Sequence, residues 1–186
     1  HDHADHVHGI DDVRATVIHM RRLMPVYMDA RTSVIVRQRF GYCFETPIGS
    51  EYPPITREMR ITKGHEIVIE GPGGPLKAMP FEVHHGDIDA LGFRFGNVAY
   101  TPDINGIPEE SLKALEGLDV WIIDALRHRP HPSHFTVAEA LEWISRVKPK
   151  RAILTNLHVD LDYETLKATL PNHIEPAFDG MKIEIT

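Results

Sequence analysis

Apolar positions fall into two rhythms, a helical one near the start and a strand-like one in the middle. Ile10, Val13, Val17, Met20 and Met24 recur at steps of three and four, the face of one helix, and Pro25 predicts its stop. Residues 26–28 read as a short strand and Ala30–Phe40 as a second helix. Residues 41–54, rich in Gly, Pro and Ser, read as a loop. Strand-like segments follow at 59–62, 66–70, 76–83, 91–95 and 98–101. Leu91, Phe93 and Phe95 alternate with Gly92 and Arg94, the period of a half-buried strand, and Gly96-Asn97 predicts a hairpin turn. The last third alternates short apolar strands at 120–123 and 152–154 with helices. Between them Thr136 and Glu139 form a capping box ahead of an apolar stripe of Val137, Ala140, Leu141, Ile144 and Val147. A helix at 163–170 and a strand at 181–185 close the chain. Strands in the middle with helix–strand alternation behind them predict layers of helix on sheet, an α/β class, in one domain over residues 1–186.

Composition narrows the function. Apolar residues at 42% and charged residues at 25% describe a globular chain, and a net charge of −7 argues against a surface built to hold nucleic acid. A single cysteine, Cys43, excludes an intramolecular disulfide and argues against a cysteine-based zinc site. No apolar run is long enough to span a membrane, and a cytoplasmic location is the default expectation. The chain starts abruptly inside a motif, which predicts a supporting strand before His1.

That motif is His1-Asp2-His3-Ala4-Asp5-His6. In an extended segment His1 and His3 can point one way while Asp5 and His6 serve a neighbouring point. Imidazole nitrogen and carboxylate oxygen suit Zn²⁺, Mn²⁺ or Fe²⁺. A tag or a solvated surface run is the bland alternative; interleaved Asp and Ala and the helix directly behind argue against it. Two metals need further donors, and three groups follow predicted strands: His84-His85-Gly86, Asp103 and Asn156-Leu157-His158. Ligands at several strand ends can converge on one sheet edge.

With these residues in this order, the chain resembles the metallo-β-lactamase superfamily of hydrolases, in particular the branch holding tRNase Z and the cyclic-phosphate phosphodiesterase of the carbon–phosphorus lyase pathway. The branch-level likeness lies in Asp103-Ile104-Asn105-Gly106-Ile107-Pro108, in Pro132-Ser133-His134-Phe135-Thr136 and in Phe178-Asp179-Gly180-Met181-Lys182-Ile183. The resemblance implies an αββα sandwich lacking its N-terminal strands. It implies one metal held by His1, His3 and His85, another by Asp5, His6 and His158, and Asp103 bridging both. His134 matches the family's extra histidine beside the substrate phosphate, and Asp5 or Asp103 would take the proton of a metal-bridging hydroxide's parent water. Where the family commonly has Thr-His this chain has Thr155-Asn156, so the last ligand is Asn156 or His158; imidazole is the better donor and His158 is preferred. His85, directly before Gly86, fits the pattern better than His84.

Two divalent cations set against Asp5, Asp103 and a hydroxide leave a centre about one unit positive, which suits a singly charged phosphodiester. The expected activity is hydrolysis of a small cyclic or nucleotide-like phosphodiester. An acyl hydrolase on the same centre, cleaving a thioester or lactone, is the second reading, and a metal-binding or RNA-processing partner with weak catalysis the third. Arg127 and Arg129 are candidates for a second anionic group on the substrate, and Asp124 for support of a histidine. The region 41–75 is a candidate pocket wall or homodimer contact.

Overall fold

The computed structural model describes residues 1–184, and these form two compact units that meet in sequence at Lys63 and Gly64. The first unit opens with a one-turn helix, α1 (Ala4–Val7), a 3-10 turn over His8–Val13, and α2 (Arg14–Met20). The apolar spacing that reaches Met24 belongs to a helix only as far as Met20, because Arg21 turns left-handed at φ 51°. Met24 instead begins β1 (Met24–Met28), so Pro25 lies inside a strand rather than behind a helix. The strand tolerates it because β1 has a single partner, β2 (Thr56–Arg60), in a two-stranded parallel sheet, which leaves one row of N–H groups outside the ladder. Between them runs α3 (Ala30–Phe40), capped by Asp29 through the Thr32 N–H at 2.7 Å. Val17, Met28, Val36, Cys43, Phe44 and Ile55 form this unit's core.

The second unit is built on a seven-stranded sheet in sequential order. Its strands are β3 (Ile67–Ile69), β4 (Leu76–His85), β5 (Ile88–Phe95), β6 (Val98–Thr101), β7 (Val120–Asp124), β8 (Arg151–Thr155) and β9 (Ile174–Pro176). The first four pair antiparallel, with Gly96-Asn97 turning β5 into β6, and the last four pair parallel. Consequently β4, β6, β7 and β8 all run in one direction, and their carboxyl ends share one edge. Helix α4 (Val137–Val147) has the predicted capping box and buries Val137, Ala140 and Ile144; α5 (Tyr163–Thr169) is capped by Asp162.

Buried Trp121 on β7 donates from Nε1 to Thr101 Oγ1 at 3.0 Å, so its one polar atom is satisfied inside an apolar layer. Gly92 is required by packing, since a Cβ there would lie 2.7 Å from the Phe81 ring and 2.8 Å from Thr101. The strand expected at 181–185 is absent over its described part, and Ile185 lies outside the described residues. Its alternation reflects face burial instead: Met181 and Ile183 pack on Val98, Val120 and Ile153. The ladder position is taken by β9, three residues that carry no periodic signal. The fold is mixed α/β, and no helix of the described residues is long and apolar enough to cross a membrane.

Candidate metal and phosphate site

In the first unit the chain is extended at His3 and then turns into α1, where the His6 N–H bonds the His3 carbonyl at 3.1 Å. That bend gathers the imidazoles: the His1 ring lies 4.5 Å from His3 and 4.2 Å from His6 between centroids, and Asp5 Oδ2 is 3.6 Å from His6 Nε2. Asp2 faces the other way and is buried. Arg31 donates to its Oδ1 at 2.5 Å and Arg39 to its carbonyl at 2.8 Å, which anchors the loop to α3. The anchor was legible only as the residue between two candidate ligands, the one that alternation turns inward.

In the second unit the shared sheet edge carries the chemistry. Alternation on β4 separates the two adjacent histidines: His84 is exposed and pairs with Asp89 at 2.9 Å, whereas His85 is 2% exposed. His85 Nδ1 lies 2.7 Å from the Ser133 carbonyl, an acceptor only, so Nδ1 carries a proton and Nε2 is the nitrogen that the neutral ring would offer to a metal. Nε2 lies 3.5 Å from Oδ2 of buried Asp103, just beyond β6. Gly86 makes the turn possible: its φ is +67°, and a Cβ there would stand 2.9 Å from the Ser133 side chain. The Ser133 carbonyl had no signature in the sequence, because any residue supplies one.

The loop after β7 adds a second pair. His134 Nδ1 lies 2.7 Å from Oδ2 of Asp124, the last residue of β7, and the His134 ring is 4.8 Å from that of His85. Asp124 also accepts from the Ile104 N–H at 3.2 Å, while its Oδ1 is buried with no hydrogen-bond partner among the described residues. Burial pushes the Asp124 carboxyl up from 3.8 to about 6, against the opposing pull of His134. Because the folded value lies above the unfolded one, the folded state binds the extra proton in between. Asp124 therefore costs stability as pH rises from about 4 to about 6. Asp124→Asn should flatten that decline in urea-unfolding midpoints of metal-free protein. An unchanged decline would assign it to other groups.

Arg127 spends its guanidinium on the Arg129 and Pro130 carbonyls of its own loop, and Arg129 pairs with Asp160 at 3.1 Å. His131 is held below its ordinary pKa by burial and by neighbouring His134 and Arg127. His158 is half-exposed and turns its Nδ1 toward Asp160, whose Oδ1 lies 3.4 Å away. The residue of β8's carboxyl end that reaches Asp103 is Asn156, with Nδ2 3.3 Å from Oδ1.

The chemistry of each unit's donors fits divalent cations: in the second an imidazole beside a buried carboxylate, in the first three imidazoles with a carboxylate. Residues 1–156 match the beta-lactamase superfamily domain, and the chain belongs to that family, within the metallo-β-lactamase superfamily. A crystal structure of a diphosphatase from the PhnP family superposes with a TM-score of 0.85 at 33% identity, covering 100% of this chain and 69% of that one. The human short-form tRNase Z gives 0.65 at 16% identity over 100% of this chain and 77% of its own, a likeness of fold. A Porphyromonas gingivalis octanoyltransferase is 29% identical over 98% of this chain, which spans 36% of that protein's length.

Proposed function

We propose that the protein is a metal-dependent phosphodiesterase acting on a small cyclic or nucleotide-like phosphodiester. The observation that carries this reading is the pairing, at one sheet edge, of the buried His85–Asp103 donor set with the His134–Asp124 hydrogen bond. In this reading, which follows the family resemblance, His1, His3 and His85 would hold one cation, Asp5 and His6 another, and Asp103 would serve both. Bound cations, Zn²⁺ or Mn²⁺ with Fe²⁺ also suited, would supply Lewis-acid stabilisation of phosphorus-bound oxygens and lower the pKa of a water nucleophile.

The chain's own residues supply the rest. Asp103 or Asp5 accepts the nucleophile's proton. Asp124 orients His134 and, ionised above about pH 6, balances its positive form. His134 can then donate from Nε2 to a phosphoryl oxygen or to the departing alkoxide. The likeness to a diphosphatase supports phosphorus rather than carbonyl chemistry. The match to an octanoyltransferase favours acyl transfer to water as a second reading, although that name covers a protein nearly three times as long.

The full-length, metal-loaded protein should be assayed against bis(p-nitrophenyl) phosphate, a simple thioester and a lactone. The diester is the expected substrate; thioester cleavage without diester cleavage would overturn the proposal in favour of the acyl reading.

A further inference from the structure

Asn156 follows β8 at the same edge, with its backbone in the left-handed region at φ 62°. Asn tolerates that conformation where most side chains do not. Three polar atoms surround its Nδ2: Asp103 Oδ1 at 3.3 Å, the Pro102 carbonyl at 3.4 Å and His134 Nδ1 at 3.4 Å. These neighbours are not equivalent. His134 Nδ1 donates to Asp124 over the shorter 2.7 Å contact, so it has no lone pair to offer Asn156. The Asp103 carboxylate and the Pro102 carbonyl only accept. Both therefore demand the NH₂ end of the carboxamide, which fixes its orientation. The result distinguishes the two oxygens of a buried carboxylate: Oδ1 is tied by Asn156, and Oδ2 is left beside His85 Nε2 at 3.5 Å.

We propose that Asn156 is a positioning residue, holding Asp103 by a donated hydrogen bond, and that its own carboxamide oxygen is not a metal ligand. The proposal rests on the metal-hydrolase reading above. Turning the amide oxygen inward would set its lone pairs against the Asp103 carboxylate and surrender both hydrogen bonds.

Two substitutions in the full-length protein separate donor from ligand. Asn156→Asp keeps the size but can only accept, and adds a negative charge facing Asp103. Asn156→Gly removes the side chain at a φ that glycine adopts freely, so backbone strain plays no part in its effect. With Zn²⁺ or Mn²⁺ and bis(p-nitrophenyl) phosphate, both should lower kcat about 10- to 100-fold, the range for loss of a partner that orients a ligand, with KM and bound metal per chain near wild type. Asn156→Asp should be at least as impaired as Asn156→Gly. Asn156→Asp with tighter metal binding and undiminished kcat, or Asn156→Gly with bound metal lost, would make residue 156 a ligand and overturn the proposal. So would Asn156→Gly at wild-type kcat. Side-chain amide exchange in the protein as isolated gives a readout independent of hydrolysis: slow exchange of the Asn156 NH₂ protons is expected, and fast exchange would contradict the tether. Should the wild type bind no metal and cleave no diester, the enzyme reading fails while this signal still decides the hydrogen bond.

Discussion

Replacing Asp103 with Asn is expected to remove nearly all hydrolysis, lowering kcat/KM by more than the roughly 100-fold that loss of an outer partner costs. Asp103 is buried between His85 Nε2 at 3.5 Å and Asn156 Nδ2 at 3.3 Å, and it is the residue proposed to serve both cations. An amide has the same shape but no charge, and it is a poor donor to Zn²⁺ or Mn²⁺. Bound metal per chain should fall with activity. The metal-free variant, by contrast, should be no less stable than the metal-free wild type, since a buried carboxylate without its cation is costly to keep. Elemental analysis beside a urea titration checks both halves. A variant that keeps its metal and its rate would remove Asp103 from the centre.

The second large effect is expected at His134. His134→Ala should lower kcat by about 10²- to 10⁴-fold, the contribution typical of a positioned general acid, while metal content stays at the wild-type level. Nδ1 is committed to Asp124 at 2.7 Å, which leaves Nε2 as the working nitrogen, and the ring stands 4.8 Å from that of His85. Metal loss in the variant would make His134 a ligand, and an unchanged kcat would reduce it to a residue that shapes the entry to α4.

Much of this arrangement was written in the sequence where local chemistry is self-contained. Helix α4 was legible from Thr136 and Glu139 and from its apolar stripe, because caps and stripes act within a few residues. The places of His85 at the end of β4 and of Asp103 just beyond β6 were legible because strands of strong apolar character point to their own termini. Met24 was misleading, since one apolar residue at the right spacing cannot say whether the helix has already ended at Arg21. Met181 and Ile183 alternated as a strand would, yet they cover the sheet without joining it. The choice between Asn156 and His158 lay beyond sequence reasoning. Imidazole chemistry favours His158 as a ligand, but no pattern in the sequence foretold the left-handed turn that sets the Asn156 Nδ2 3.3 Å from Asp103 Oδ1, or the 3.4 Å approach of His158 Nδ1 to Asp160. The Ser133 carbonyl that fixes the His85 tautomer was equally silent.

The most direct test of the central claim is a metal titration of chelator-stripped, full-length protein with bis(p-nitrophenyl) phosphate hydrolysis followed throughout. The account predicts no hydrolysis without metal and a rate restored by Zn²⁺ or Mn²⁺ that saturates at two equivalents per chain. Hydrolysis that persists in fully stripped protein, or a rate that saturates at one equivalent per chain, would contradict it.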